Sequence, residues 1–272
     1  MLNLREYADT PTLLADYLPW ACLVAPGVVL NKDGSFQTTF KYRGPDLESS
    51  TEEELVSVMA RVNNVLRRFG SGWALFFEAQ RHEVHDYPEA EFPDALSWLI
   101  DQERALQAEE SGARFESAYY LNLLWLPPAD ATGRAEKALI QRAETEDAAT
   151  WRHRLETFQQ HADRVFDLLS TCLAEIGKLT DDETLTYLHS TISIKRHPVV
   201  TPELPVFLDA VLADEPFAGG LEPMIGDAHL RTLTILGFPA STLPGILDEL
   251  NRQGFAYRWA TRFIAMDKAE AE

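Results

Sequence analysis

Phe36, Thr38, Phe40 and Tyr42 alternate with Gln37, Thr39 and Lys41, and that period of two predicts a half-buried strand with one face on a core. Residues 24–30 form an apolar run just before it, separated by Asn31-Lys32-Asp33-Gly34. Asp-Gly tolerates the positive φ of a tight turn, so the two runs are expected to pair as a hairpin. The period then lengthens. Thr51-Glu52-Glu53-Glu54 has capping-box spacing, in which the Thr oxygen accepts from a free helix amide and the Glu reaches back to the cap amide. Leu55, Val58, Met59, Val62, Leu66 and Phe69 continue it as a helical stripe. Gly70 and Gly72 end the helix ahead of an apolar strand over 73–79, completing a β-α-β unit over 36–79.

Beyond Pro93 a second helix is expected with Leu96, Leu99 and Ile100 facing inward. A strand over 118–126 follows, stopped by Pro127-Pro128, and the Ala- and charge-rich residues 129–145 read as a loop or loosely helical connection. Over 147–177, Trp151, Leu155, Phe158, Ala162, Val165, Leu169, Cys172 and Ile176 recur at alternating spacings of four and three. That is a heptad seam on one long helix, suited either to the chain's own sheet or to a second copy. Gly177 is expected to turn the chain, and Thr180-Asp181-Asp182-Glu183 is a second capping box opening a short helix through Leu185 and Leu188. Residues 195–226, with Pro198, Pro202, Pro205, Pro216, Pro223 and Gly219-Gly220, are expected to be irregular and on the surface. A strand over 230–238, a helix capped by Thr242 and closed by Gly254, and a strand over 255–264 make a second β-α-β unit. The fold class expected is α+β: antiparallel sheets of ferredoxin-like β-α-β units, helices on one face, and one long helix.

The chain of 272 residues has room for one large domain, with possible sub-halves at 1–128 and 146–266. Its formal charge of −19 changes the functional picture, because the averaged field repels polyphosphate backbones and anionic lipid. Direct nucleic-acid binding is therefore not expected. Cys22 and Cys172 fit neither a disulfide framework nor a metal-ligand spacing. With no leader-like start and no run of ~18 apolar residues, a cytoplasmic chain is expected. The closing residues Asp267-Lys268-Ala269-Glu270-Ala271-Glu272 have helix-forming composition, suggesting a chain that continues into an interdomain helix.

Candidate chemistry is sparse. A phosphate-cradling loop needs Gly, four residues, then Gly-Lys-Ser/Thr; the Gly177-Lys178 pair has Cys172 five residues upstream and Leu179 after it, at what the pattern makes a helix C-terminus. His82-Glu83-Val84-His85 lacks a third ligand and reads as a solvated strand end. Asp181, Asp182, Glu183 and His189 could be drawn as an acid/base cluster, yet capping accounts for the carboxylates. No catalytic, cofactor or metal residue is nominated, and no enzyme activity is expected of this chain.

Five segments in order carry a resemblance. They are Asn31-Lys32-Asp33-Gly34-Ser35-Phe36; Tyr42-Arg43-Gly44-Pro45-Asp46-Leu47; Thr186-Tyr187-Leu188-His189-Ser190 with Ile192-Ser193; residues 229–239, from His229-Leu230-Arg231 to Gly237-Phe238-Pro239; and Tyr257-Arg258-Trp259-Ala260-Thr261-Arg262-Phe263-Ile264. Together they resemble the N-terminal half of the TrbE family, conjugative relatives of the VirB-class type IV secretion ATPases. The resemblance implies that 1–272 is a non-motor domain and that a RecA-like motor carrying the Walker motifs, ATP and Mg lies outside it. It further implies a docking role, linking the motor to inner-membrane channel subunits and to neighbouring copies in a homo-oligomer, at the cytoplasmic face of the bacterial inner membrane, for DNA transfer and pilus biogenesis. A free-standing enzyme with a site assembled from distant residues is the alternative.

Two sets of residues are candidates for partner contact. Tyr17, Leu18 and Trp20 near the N-terminus bring large apolar area to a segment with weak internal order, as does the Pro-rich stretch 195–226; the alternative is that the N-terminal segment folds back onto the first hairpin. Arg258 and Arg262, four apart on a strand, share a face opposite Tyr257, Trp259 and Phe263, where two guanidiniums can grip carboxylates or pair with acids of the same chain.

Overall fold

The computed structural model describes residues 13–46, 49–84, 87, 90–110, 112, 114–128, 145–235, 237, 240–241 and 248–267. In chain order the elements are α1 (Leu14–Tyr17), β1 (Trp20–Ala25), β2 (Val28–Asn31), β3 (Phe36–Arg43), α2 (Glu52–Leu66), β4 (Trp73–Val84), α3 (Ala95–Glu110) and β5 (Arg114–Trp125). There follow α4 (Thr145–Ser170), β6 (Glu175–Lys178), α5 (Asp181–Ser190), α6 (Leu208–Leu212), the two-residue strands β7 (Phe217–Ala218), β8 (Met224–Ile225) and β9 (Ala228–His229), a 3-10 turn (Asp248–Arg252) and β10 (Tyr257–Ile264). The fold class is α+β.

The Asp-Gly turn forms as the sequence predicts. Gly34 takes φ +84°, and the Asp33 carboxylate accepts from the Ser35 amide at 2.9 Å. The run 24–30 is not one strand, however. Pro26-Gly27 breaks it into a second hairpin, with Gly27 at φ +65° and its backbone so close to Leu179 that a Cβ would sit 2.6 Å from the Leu179 carbonyl oxygen. Only glycine fits that crossing.

The main sheet runs β1-β2-β3-β5-β4-β10, with β6 on β3. Both β3 and β4 are antiparallel to β5, so they are parallel to each other, with β5 between them and α2 as the crossover. Strands from either side of residues 129–144 share this sheet: β6 pairs Phe40 with Lys178, and β10 pairs Phe263 with Leu75.

On one face α2 and α4 cover a core of Phe36, Phe40, Trp73, Leu75, Leu121 and Leu123. Phe158, Ala162, Val165 and Leu169 of α4 are buried in it, so the heptad seam serves the chain's own sheet. The long helix nevertheless stops at Ser170, where 147–177 was expected. Ile176 stays in the core as a strand residue opposite Tyr42, because the β3 edge offers the backbone ladder bonds that a continued helix would forgo. Gly177 accordingly lies in β6, opposite Lys41, and is not a turn between helices.

Helices are not confined to that face, in contrast to the expectation. α1, α5 and α6 seal the other with a second core of Leu14, Leu18, Trp20, Val29, Leu185, Leu188, Leu208 and Leu212. For this reason β3 is buried on both sides from Phe36 to Phe40, and is not half-buried. Both capping boxes form: Thr51 accepts from the Glu54 amide, and Thr180 from the Glu183 amide at 3.3 Å while Glu183 accepts from the Thr180 amide at 2.8 Å. Thr180→Ala is expected to lower stability by about 1 kcal/mol, measured by urea unfolding; an unchanged midpoint would mean that tertiary contacts alone hold α5.

Other expectations fail where the pattern depends on a partner surface. In α2 the stripe is only partly right: Val65, outside it, is buried, while Met59 is half exposed. α3 exists, but Leu96, Leu99 and Ile100 point to solvent at 67%, 58% and 48% exposure. Residues 230–235 join no sheet, so the second β-α-β unit lacks that stretch of its first strand; its helix is present only as the 3-10 turn, with 242–247 outside the described residues. The stretch 195–226 is largely irregular, as expected, but Leu208 and Leu212 of α6 anchor it in the second core.

Candidate functional site

The sheet face under α5 carries a buried polar chain. Glu78 projects from β4 and is 7% exposed, in a strand otherwise rich in apolar residues. A carboxylate there must be hydrogen-bonded or neutralised, and its neighbours supply that. Glu78 Oε1 accepts from Gln80 Nε2 at 2.9 Å and from Arg258 Nε, and Oε2 accepts from the Tyr187 hydroxyl at 2.7 Å. Tyr187 in turn accepts from Asn122 Nδ2 at 2.6 Å, and Asn122 Oδ1 accepts from the Thr39 hydroxyl. The chain links β3, β5, β4, β10 and α5. Burial, followed by the charge of Glu78, raises the Tyr187 pKa far above the usual tyrosine value, so this hydroxyl stays a donor.

Arg258 and Arg262 share one face, as the strand period requires: they lie opposite Gln80 and Phe76 in the β4 ladder. Arg258 is held internally, by Glu78 and by a bond from Nη1 to the Ser190 carbonyl at 3.2 Å. The guanidinium of Arg262 lies 5.5 Å from the Phe76 ring centroid and the residue is exposed.

Beside this network is a cleft of about 470 Å³, lined by Lys41, Tyr120, Tyr187, Lys195, Arg196 and His197 among others. Burial and then the like charge of Arg258 pull the Arg196 pKa below the ordinary arginine value. Among the described residues neither Arg196 nor Lys41 has an ion-pair partner, whereas Lys195 reaches Asp214 at 3.3 Å and His189 Nε2 lies 3.1 Å from the same carboxylate. Asp182 and Glu183 line the same cleft, so it sets carboxylates beside these cations. Burial raises the pKa of both the Cys22 and Cys172 thiols, which disfavours the nucleophilic thiolate. Among the described residues no cluster of three His, Cys, Asp or Glu could hold a metal.

The acids drawn as a possible catalytic cluster are structural ties. Asp181 accepts from the Gly27 amide at 2.7 Å, and Asp182 accepts from the Thr201 amide at 2.8 Å. Thr201 holds the Asp182 pKa below the usual carboxylate range, and the Thr180 amide and hydroxyl do the same for Glu183. The Ile194 amide and Ser193 hydroxyl depress Glu215; at Asp214 burial opposes the shift, but Lys195 and His189 outweigh it. Groups depressed in the folded state contribute stability above their unfolded pKa values, and lose it as pH falls through the folded ones. The melting temperature should therefore be level near neutrality and fall below about pH 4. A flat profile down to pH 3 in a thermal titration would contradict these ties.

Gly177-Lys178 lies in β6 and not at a helix end, with Lys178 Nζ 2.7 Å from Asp163 and over the Phe166 ring. His82 is in β4 near its end, its side chain 23% exposed, with its pKa lowered by burial first and then by Arg196; His85 is outside the described residues.

Of the residues nominated for partner contact, Leu18 and Trp20 are core residues, each 6% exposed, because α1 and β1 fold back under α6. They are withdrawn from any surface. Tyr17 remains 56% exposed, edge-on to Phe217 at 5.6 Å. Trp20 opens β1 and Arg258 lies on β10, the two ends of the strand order, so the nominated residues do not form one site. Sequence reasoning missed the Glu78 chain, although a Glu and a Gln inside an apolar strand were its available signal.

Residues 27–133 match the family described as type IV secretion system ATPase VirB4/TrbE, N-terminal domain. The conjugal transfer protein TrbE of Rhizobium radiobacter is 32% identical over 287 residues, an alignment covering 100% of this chain and 35% of that protein, so the chain spans about a third of that relative's length. A shorter probable conjugal transfer protein TrbE of Sinorhizobium fredii is 36% identical over 148 residues, covering 53% of this chain and 99% of the relative. The type IV secretion system protein virB4 of Brucella suis is 21% identical over 280 residues, covering 95% of this chain and 33% of that protein.

Proposed function

The chain belongs to the VirB4/TrbE family of type IV secretion system ATPases, as an N-terminal domain of that family, and from that premise we propose that it is the docking and assembly domain of a conjugation ATPase. In this reading it links an ATP-driven motor to inner-membrane subunits of the secretion channel and to neighbouring copies. The observation that carries it is the alignment of this whole chain with a conjugal transfer protein. ATP and Mg belong to the motor, and this chain neither binds nor hydrolyses nucleotide. It acts at the cytoplasmic face of the inner membrane through protein contacts; no helix among the described residues is long and apolar enough to cross a membrane.

The charge of −19 favours partners with basic cytoplasmic loops, which positive-inside topology supplies. A pull-down should recover inner-membrane secretion subunits at low salt and less of them at high salt. Tyr17→Ala with Arg262→Ala, both at exposed side chains, should reduce recovery while leaving the melting temperature unchanged. Equal recovery under all conditions would remove these residues and the electrostatic contribution; no recovery at all would remove docking. Calorimetric titration with Mg-ATP should be flat.

A further inference from the structure

The ladder between β4 and β5 runs past its neighbours. β3 pairs with β5 only as far as Tyr119, and β10 with β4 only as far as Arg81. The pairs His82 with Glu116, Glu83 with Phe115 and Val84 with Arg114 therefore extend as a two-stranded ribbon, and α3 is carried at its end.

α3 presents an unusual face to solvent. Asp94 caps it, accepting from the Ser97 amide at 2.9 Å, and the Tyr87 hydroxyl donates to Asp101 at 2.8 Å. Ser97, Asp101, Ala105 and Ala108 form the partly covered side, with Trp98 at its margin at 52% exposure. Leu96, Leu99, Ile100 and Leu106, at i, i+3, i+4 and i+10, lie together on the opposite side with exposures of 67%, 58%, 48% and 56%. No α3 residue is buried. A helix normally turns its apolar stripe to the core; this one turns it outward, and a helix of 16 residues gains little stability from propensity alone.

Charge selects the occupant. Glu103, at i+7, falls within the leucine stripe, and Glu110, at i+14, continues it; Glu109 is adjacent, and Arg104 is the single basic residue of α3. A second copy laid along this stripe would bring Glu103 against another acid, and an anionic membrane would repel it. A helix with leucine-like residues on one face and Lys or Arg beside them would cover the stripe and neutralise Glu103 together.

We propose that α3 is a docking helix for a basic amphipathic helix of another protein. This deepens the docking reading by naming a surface and the chemistry of its partner. Binding follows the helix-in-groove mode, with Leu96, Leu99 and Leu106 as anchors and Glu103 fixing register.

The test uses the full 272-residue chain and a fluorescent 18-residue Leu/Lys peptide patterned at helical period, with a peptide of equal composition in strict alternation as control. Anisotropy should show saturable binding of the helical peptide only. The variant Leu96→Ser, Leu99→Ser, Leu106→Ser, with its melting temperature checked, should bind at least about tenfold more weakly. Glu103→Lys with Glu110→Lys should lose the Leu/Lys peptide and gain a Leu/Glu peptide of the same pattern. Lack of saturation at about 100 µM, equal binding by the serine variant, or no charge swap would overturn the proposal. So would dimerisation in sedimentation that the serine variant abolishes, which assigns the stripe to a second copy, or leucine-dependent binding to phosphatidylglycerol vesicles, which assigns it to lipid. Failure here with a successful pull-down would leave docking intact and place it elsewhere on the chain.

Discussion

Replacing Phe158 by Ala is expected to destabilise the chain by about 3–5 kcal/mol, enough to unfold a marginal domain at physiological temperature. Phe158 is fully buried where α4 crosses the sheet. Its ring stacks on Phe36 at 5.7 Å and on Trp73 at 5.8 Å, so truncation leaves a cavity whose aromatic walls cannot close on it. Denaturant unfolding measures the loss directly. Arg164→Ala, at an exposed position of the same helix, should stay within about 0.5 kcal/mol. Because the seam packs within the chain, the defect should appear as unfolding and not as loss of self-association. A loss below 1 kcal/mol with a changed oligomeric state would move the seam to an interface.

Glu78→Ala should have the next largest effect, about 3–5 kcal/mol, because it removes the acceptor shared by Arg258, Tyr187 and Gln80 and leaves a partly buried guanidinium without its partner. Tyr187→Phe, which keeps the ring and deletes one donor, should cost about 1–3 kcal/mol. Since both residues belong to one network, the double variant should lose less than the sum of the two, by about 0.5–3 kcal/mol. Hydrogen exchange adds a local readout: amides of β10 should lose protection in Glu78→Ala, because Arg258 ties that edge strand to α5. Additive losses with unchanged β10 protection would show that the residues act independently.

What could be read in the chain beforehand was local. The Asp33-Gly34 turn, the capping boxes at Thr51 and Thr180, and the seam from Trp151 to Leu169 rest on bonds or faces defined within a few residues, and they form as read. The shared face of Arg258 and Arg262 follows from the strand period alone. The family, too, was legible, because several segments in fixed order carry more information than any one of them.

What lay beyond that reading depended on the identity of the opposing surface. Apolar spacing shows that Leu96 and Leu99 share a side of α3, but whether that side meets a core is set by how the β4–β5 ribbon aims the helix. The same limit applies to Leu18 and Trp20, which read equally as partner anchors or as residues folded back on the first hairpin until α6, far later in the chain, covers them. Ile176 keeps its place in the core while changing from helix to strand, since burial is satisfied by either and only the free edge of β3 chooses. The carboxylate of Glu78 is an anomaly in its strand until Tyr187 and Arg258 arrive from 109 and 180 positions away. By itself the sequence determined turns, caps, periods and kinship, because those are written in neighbouring residues. The tertiary structure alone decided which faces are buried and which carboxylates are paired, because those depend on strand register and on contacts between residues far apart in the chain.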